Sequence, residues 1–165
     1  MEKNKVFVIG AGAVGTLLAA KLTTCNTTDT TLVTRNSSLT RFNDGITIQS
    51  TESKHCNVKC CDWSRIKFFP GNSWILITTK IFDLAEVLSE IKQRLAVPTH
   101  LVLCQNGLDV ITEADRYLPN QNWIRAICWL GARLKSPATV VLSGMDRIEI
   151  ASASEGACSQ LATIF

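Results

Sequence analysis

The sequence predicts an α/β fold: a doubly wound, mostly parallel sheet with an antiparallel extension, in a single domain. Three observations carry this. Short apolar runs rich in β-branched residues recur at residues 5–9, 31–34, 74–79 and 101–104. Segments of helical periodicity separate most of them, the alternation that makes strands parallel and buries them on both faces. A glycine-rich hexad joins the first run to the first periodic segment.

The elements follow in order. Residues 5–9 read as a buried strand closed by Gly10. Beyond the glycines, Val14, Leu17, Leu18 and Leu22 form one helical stripe, and Gly15, Ala19 and Ala20 let that helix sit close to the sheet. Residues 31–34 make the second strand. An antiparallel excursion is expected next, with residues 46–48 and a strand around Val58 as its arms. The run at 74–79 is another buried strand, ending at Lys80. Asp83 and Glu86 have capping-box spacing and open a helix that carries Leu84, Val87, Leu88, Ile91 and Leu95 on one face. Pro98 is expected to stop it. A strand at 101–104 exits through Asn106-Gly107, and a helix over 110–118 stops at Pro119. The tail reads as strands at 123–129, 139–142 and 147–150, the last two joined by a Ser143-Gly144-Met145-Asp146 turn. A final helix from Glu155 carries Ala157, Leu161 and Ile164 on one side.

Composition excludes several classes. A 165-residue chain with 46% hydrophobic and 19% charged residues is globular, with room for little beyond one domain. The net charge of +3 comes without dense Lys/Arg blocks, so neither nucleic acid nor a membrane surface is an expected partner. No apolar run approaches the ~18 residues of a bilayer span, and no signal-peptide pattern precedes the first strand. A cytoplasmic location is the expectation. Seven cysteines form no disulfide framework. His55, Cys56, Cys60 and Cys61 lack a second ligand pair at zinc spacing, so no metal site is expected. Strand alternation instead puts Cys56, Val58 and Cys60 on one face, as buried thiols, with His55, Asn57 and Lys59 on the other.

The chemistry sits in the hexad. Gly10, Ala11, Gly12, Ala13, Val14 and Gly15 form G-x-G-x-x-G between a strand and a helix, the setting in which that pattern binds a dinucleotide. Gly10 permits the tight turn, Gly12 lets backbone approach a pyrophosphate, and Gly15 permits close helix–strand packing. The free N–H groups at the helix start face the phosphate charge. Where an NAD site places an acid after the second strand, this chain has Thr34-Arg35-Asn36-Ser37. Arginine suits a 2′-phosphate rather than a ribose hydroxyl, which points to NADP(H) in a Rossmann-type domain. Lys80 and Asn106 also end strands, where ligands of open α/β sheets lie. Trp74 and Trp129 are expected near the same cleft.

Those residues together resemble the ketopantoate reductase family: the hexad, Arg35, Thr78-Thr79-Lys80 ahead of an amphipathic helix, and Gln105-Asn106-Gly107. Gly131-Ala132-Arg133, Val140-Val141-Leu142 and Ile148-Glu149-Ile150 are similar to that family's segment after the core strands. The resemblance covers essentially the whole chain. It implies an NADP-binding domain over residues 1–165 and NADPH-dependent reduction of a 2-keto acid, 2-dehydropantoate, to pantoate, on the way to pantothenate and coenzyme A. By position it implies that Gly10 to Gly15 hold the pyrophosphate and Arg35 the 2′-phosphate. Lys80 then stands in the cleft near cofactor and substrate. Asn106 touches the nicotinamide ribose and the substrate, and Ala132 lines the nicotinamide side. The family's general-acid lysine and most substrate contacts belong to a helical second domain, expected beyond Phe165, so no catalytic residue is expected here. Leu161, Ile164 and Phe165 are expected to be partly uncovered, as in a fragment that binds cofactor without turnover. A homodimer is a candidate assembly of the full-length form. Two other readings stay open: a non-catalytic Rossmann nucleotide-sensing module, and the N-terminal half of another two-domain hydroxyacid dehydrogenase.

Overall fold

The computed structural model describes residues 2–95, 98–152 and 155–165. The first apolar run forms β1 (Asn4–Ile9), and the periodic segment behind it forms α1 (Ala13–Thr23). β2 (Thr28–Val33) returns parallel to β1. A 3-10 turn over Asn36–Phe42 leads to β3 (Ile46–Gln49), β4 (Ser53–Cys56) and β5 (Lys59–Cys61). Then follow β6 (Trp74–Ile77), α2 (Leu84–Lys92), β7 (His100–Leu103) and α3 (Val110–Tyr117). β8 (Ile124–Ser136), β9 (Thr139–Ser152) and α4 (Glu155–Ala162) complete the chain. No helix among the described residues is long and apolar enough to cross a membrane.

The strands make one nine-stranded sheet in the order β4-β3-β9-β8-β7-β6-β1-β2-β5. From β5 through β8 every pairing is parallel. This is the doubly wound order of dinucleotide-binding folds, and its winding reverses between β1 and β6. The crevice at the carboxyl ends of those two strands is therefore the expected ligand position. Alternation splits the apolar side chains between two cores. Val6, Val8, Leu76 and Val102 face α1, while Ile9, Ile75, Ile77, Leu101 and Leu103 face α2 and α3. The predicted α2 face is borne out, with Leu84, Val87, Leu88 and Ile91 buried and Leu95 packed against them.

Burial of α1 is wider than the predicted stripe: Gly15, Thr16, Leu17, Leu18, Ala19, Ala20 and Leu22 are all buried. Curvature of the sheet explains it. β4 and β5 lie at opposite ends of the strand order, yet only Asn57 and Val58 separate them. Such a link reaches about 10 Å, so the two ends of the sheet meet. α1 is enclosed, touching β1, β2, β3, β8 and β9.

Several expectations are corrected. The stretch around Val58 is not one strand: Cys56 ends β4, paired with β3, and Cys60 belongs to β5, paired with β2. The facing survives, because Cys56 and Val58 are buried and Cys60 packs against the same core. Burial pushes the Cys60 thiol up to about 11, so it is a neutral thiol at physiological pH. The tail holds no turn at Ser143-Gly144-Met145-Asp146. β8 and β9 instead form one long hairpin closed at Pro137 and Ala138. The pairing steps from Leu130–Asp146 to Ala132–Leu142, so Ser143, Gly144 and Met145 bulge opposite Gly131. Gly144 has φ +77°, and a Cβ on Gly131 would lie 1.6 Å from the Ser143 carbonyl oxygen. Turns and bulges both call for such residues, and the long ladder makes this one a bulge. α2 stops at Lys92, ahead of Pro98, where Arg94 folds back to donate to the Glu90 carbonyl at 2.8 Å. Leu161 and Ile164 are buried in the α1-side core rather than uncovered, because α4 lies against β9. Phe165 stays 38% exposed.

Asp29 ties three parallel strands together, accepting from Lys5 on β1 at 2.7 Å and from Lys59 on β5 at 2.5 Å. Those two hydrogen bonds hold its carboxyl down to about 2. A depressed carboxyl stabilises the fold above its unfolded value and loses that contribution as pH falls through the folded value. The window runs from 3.8 down to about 2. Screening of the exposed lysines limits the effect to about 1 kcal/mol. Asp29→Asn is therefore expected to lower stability near neutral pH and to narrow its gap from the parent as the pH falls through this window. Urea unfolding of both proteins across the range checks it; a constant gap would contradict the assignment.

Candidate functional site

The glycine turn is built by close approach. Gly10 leaves β1 at φ +108°, a conformation that L side chains rarely adopt, and its N–H donates to the Val33 carbonyl at 2.9 Å. A Cβ on Gly15 would lie 1.9 Å from the Gly10 carbonyl oxygen and 2.3 Å from the Thr78 hydroxyl. That hydroxyl, at the end of β6, donates to the Ile9 and Gly10 carbonyls at 2.9 and 3.0 Å. Thr78 thus clamps the turn to β6. Sequence reasoning used it only as part of a motif; its place at the end of a buried strand was the available signal.

Gly12 is different. It is exposed, and a Cβ there would meet nothing within 4 Å. It stands at the N-cap of α1 with no side-chain cap and no acidic residue in the first turn. The first intrahelical bond runs from the Thr16 N–H to the Gly12 carbonyl at 2.9 Å. The N–H groups of Ala13, Val14 and Gly15 therefore have no intrahelical acceptor. Open space above bare N–H groups, at the positive end of a helix dipole, fits a pyrophosphate.

Arg35 follows β2 by two residues, in an extended conformation with its side chain 67% exposed. Its Nη2 donates to the Asp83 carboxylate at 2.9 Å. β2 and β6 flank β1, so this bridge between the segments that follow them arches over the carboxyl end of β1. The expected capping box is overturned. Asp83 stands in the helical region, in a 3-10 turn over Ile81–Asp83 that runs straight into α2, and makes no cap bond. Helical backbone begins after Lys80, which takes the extended N-cap conformation and is exposed.

Asn106 and Gly107 are exposed beyond β7. Gln105 beside them is only 7% exposed, and neither its amide oxygen nor its nitrogen has a partner. Ala132 lies past the carboxyl end of β7, on the β8 face that packs with Ala11 and Val14 against the α1-side core. The fold thus gathers Gly10 to Gly15, Arg35, Lys80 and Asn106 at one end of the sheet. Trp74 is not there: it begins β6, at the opposite end, stacked on His100 with centroids 4.1 Å apart. Trp129 is half exposed on β8. Among the described residues, no group of three or more His, Cys, Asp or Glu side chains is placed to hold a metal.

Filling the turn is expected to be costly. Gly15→Ala should destabilise the fold by about 1–3 kcal/mol through overpacking. Thr78→Val, which keeps the shape and removes the clamp, should cost about 1 kcal/mol. Denaturant unfolding checks both, and a neutral Gly15→Ala would contradict the contact.

Comparison with known proteins agrees with this architecture. The sequence model described as ketopantoate reductase PanE/ApbA matches residues 6–155. No curated protein matches the chain in sequence. Among solved structures, 2-dehydropantoate 2-reductase from Geobacter metallireducens GS-15 superposes with a TM-score of 0.82 at 20% identity, over 97% of this chain and 54% of its own. The enzyme of that name from Porphyromonas gingivalis W83 gives 0.80 at 20% identity, over 99% and 61%. D-mandelate dehydrogenase, in a ternary structure with NADH and anilino(oxo)acetate, gives 0.81 at 18% identity, over 97% and 52%. These likenesses establish the fold. The chain spans about half the length of the first of the solved structures it matches, 51% and 54% of theirs.

Proposed function

The chain belongs to the ketopantoate reductase PanE/ApbA family, and from that premise we propose that it is the NADPH-binding N-terminal domain of a 2-dehydropantoate 2-reductase-like oxidoreductase. The observation that carries the reading is the open cradle at Gly12 on the β1–β6 switch point, with Arg35 reaching across the same end of the sheet. The residues fit a dinucleotide. Gly10 and Gly12 bring backbone within reach of a pyrophosphate, and the N–H groups of Ala13, Val14 and Gly15 donate to it. Arg35 offers a guanidinium fork to a 2′-phosphate.

The nicotinamide of the bound cofactor supplies hydride to the ketone carbon of a 2-keto acid. This chain's part is to orient. Lys80 presents a cation in the cleft for a phosphate or a substrate carboxylate. Asn106 offers both a donor and an acceptor to the ribose and the substrate. Ala132, small and apolar, leaves room on the nicotinamide side. The proton for the developing alkoxide comes, in this reading, from a lysine in the second half that the longer relatives possess. A 2-keto acid is then the small-molecule substrate of the whole enzyme, with pantoate as product.

D-mandelate dehydrogenase shares this fold and is recorded with NADH, so the 2′ position decides between cofactors. Calorimetric titration of the chain with NADPH and NADH, with and without Arg35→Ala, tests the reading. The exposed Arg35–Asp83 pair adds little to folding, so the variant should stay folded. Loss of charge-assisted bonds to the phosphate should weaken NADPH by roughly 10- to 100-fold and NADH far less. A preference for NADH or ATP in the parent chain would favour a nucleotide sensor.

A further inference from the structure

Resting on that reading, we propose that Asp83 is a second selectivity residue, set against Arg35: it accepts from the ribose 2′-hydroxyl of NADH and opposes the 2′-phosphate of NADPH. Three observations place it there. Its carboxylate oxygen lies 2.9 Å from Nη2 of Arg35, the side chain proposed above to read the 2′ position. Its carboxylate makes no cap bond at the start of α2 and pairs instead with Arg35. And it comes from the segment after β6, across the mouth from Arg35, so the two charges flank the carboxyl end of β1 from opposite sides.

The consequence follows from the donors available. A guanidinium has five N–H groups in a fixed fork. With one nitrogen held by Asp83, a 2′-phosphate must either displace the carboxylate or settle beside it. Either course costs NADPH, because a phosphate monoester carries close to two negative charges at neutral pH and meets a like charge at close range. NADH meets the reverse. Its 2′-hydroxyl donates to a carboxylate, which is the role an acid plays at NAD sites of this fold. Here the acid is not at the end of β2, where sequence reasoning looks for it, but arrives from β6 through space. The pair therefore holds one reader for each form of the cofactor, and NADPH selectivity is smaller than Arg35 alone would set.

The test is equilibrium titration of the full chain with NADPH and NADH, read by the cofactor's own fluorescence, in the parent, Asp83→Asn, Asp83→Glu and Arg35→Ala. Asp83→Asn should raise the NADPH-to-NADH affinity ratio about tenfold, less at high salt. Asp83→Glu, which keeps the charge, should stay close to the parent. Arg35→Ala, with the acid left in place, should bind NADH more tightly than NADPH. An unchanged ratio in Asp83→Asn, with both cofactors still bound, overturns the role of Asp83 and leaves the proposed function standing. Equal affinities in Arg35→Ala overturn it as well, and that arm holds should Asp83→Asn fail to fold. Failure of the parent chain to bind either cofactor overturns both.

Discussion

Gly15 approaches the Gly10 carbonyl so closely that one added methyl group would fall 1.9 Å from it. The rest of the architecture is arranged around that contact. It sets the start of α1 directly over the end of β1, and Thr78 locks the arrangement from the neighbouring strand. The same contact holds the free N–H groups of the helix at the switch point of the sheet. A helix N-terminus anywhere else on the surface would carry the same dipole but would not lie beside Lys80, Arg35 and Asn106. The close packing at Gly10 and Gly15 and the open helix N-terminus at Gly12 rest alike on absent side chains.

Enclosure of α1 extends the constraint through the molecule. A helix with Leu17, Leu18, Ala19, Ala20 and Leu22 all buried needs cover on more than the single face of a flat sheet. The sheet provides it by curling until β4 and β5 meet across Asn57 and Val58, and the β8–β9 hairpin completes the wall. The bulge opposite Gly131 helps a ladder of this length to bend. Leu161 and Ile164 then close the same core from the C-terminal helix.

The mouth of the site combines exposed charge with a rigid floor. Arg35, Lys80 and Asn106 are exposed, whereas Val33, Ile77 and Leu103, at the ends of the strands that precede them, are almost wholly buried. Exposed polar groups on loops that leave buried strand ends are the common arrangement in open α/β sheets. The buried, unpartnered amide of Gln105 beside Asn106 marks where that floor still holds unused hydrogen-bonding capacity.

By itself the sequence determined the features that depend on neighbours along the chain. Strands at 5–9 and 101–104, the apolar face of α2 and the glycine turn follow from periodicity and from backbone freedom at Gly10, and both are local properties. The site was legible to the extent that its residues end predicted strands, as Lys80 and Asn106 do. Tertiary structure decided what depends on partners distant in sequence. Ser143-Gly144-Met145-Asp146 has the composition of a turn, and only pairing with the β8 strand makes it a bulge. Cys56 and Cys60 share an alternating pattern, yet the chain leaves one edge of the sheet for the other between them. Asp83 carries the signature of a helix cap, but a 3-10 turn begins the helix before it and Arg35, 48 residues away, claims the carboxylate. Local rules assign a residue its backbone; an exposed charge takes its partner from whatever the fold brings within reach.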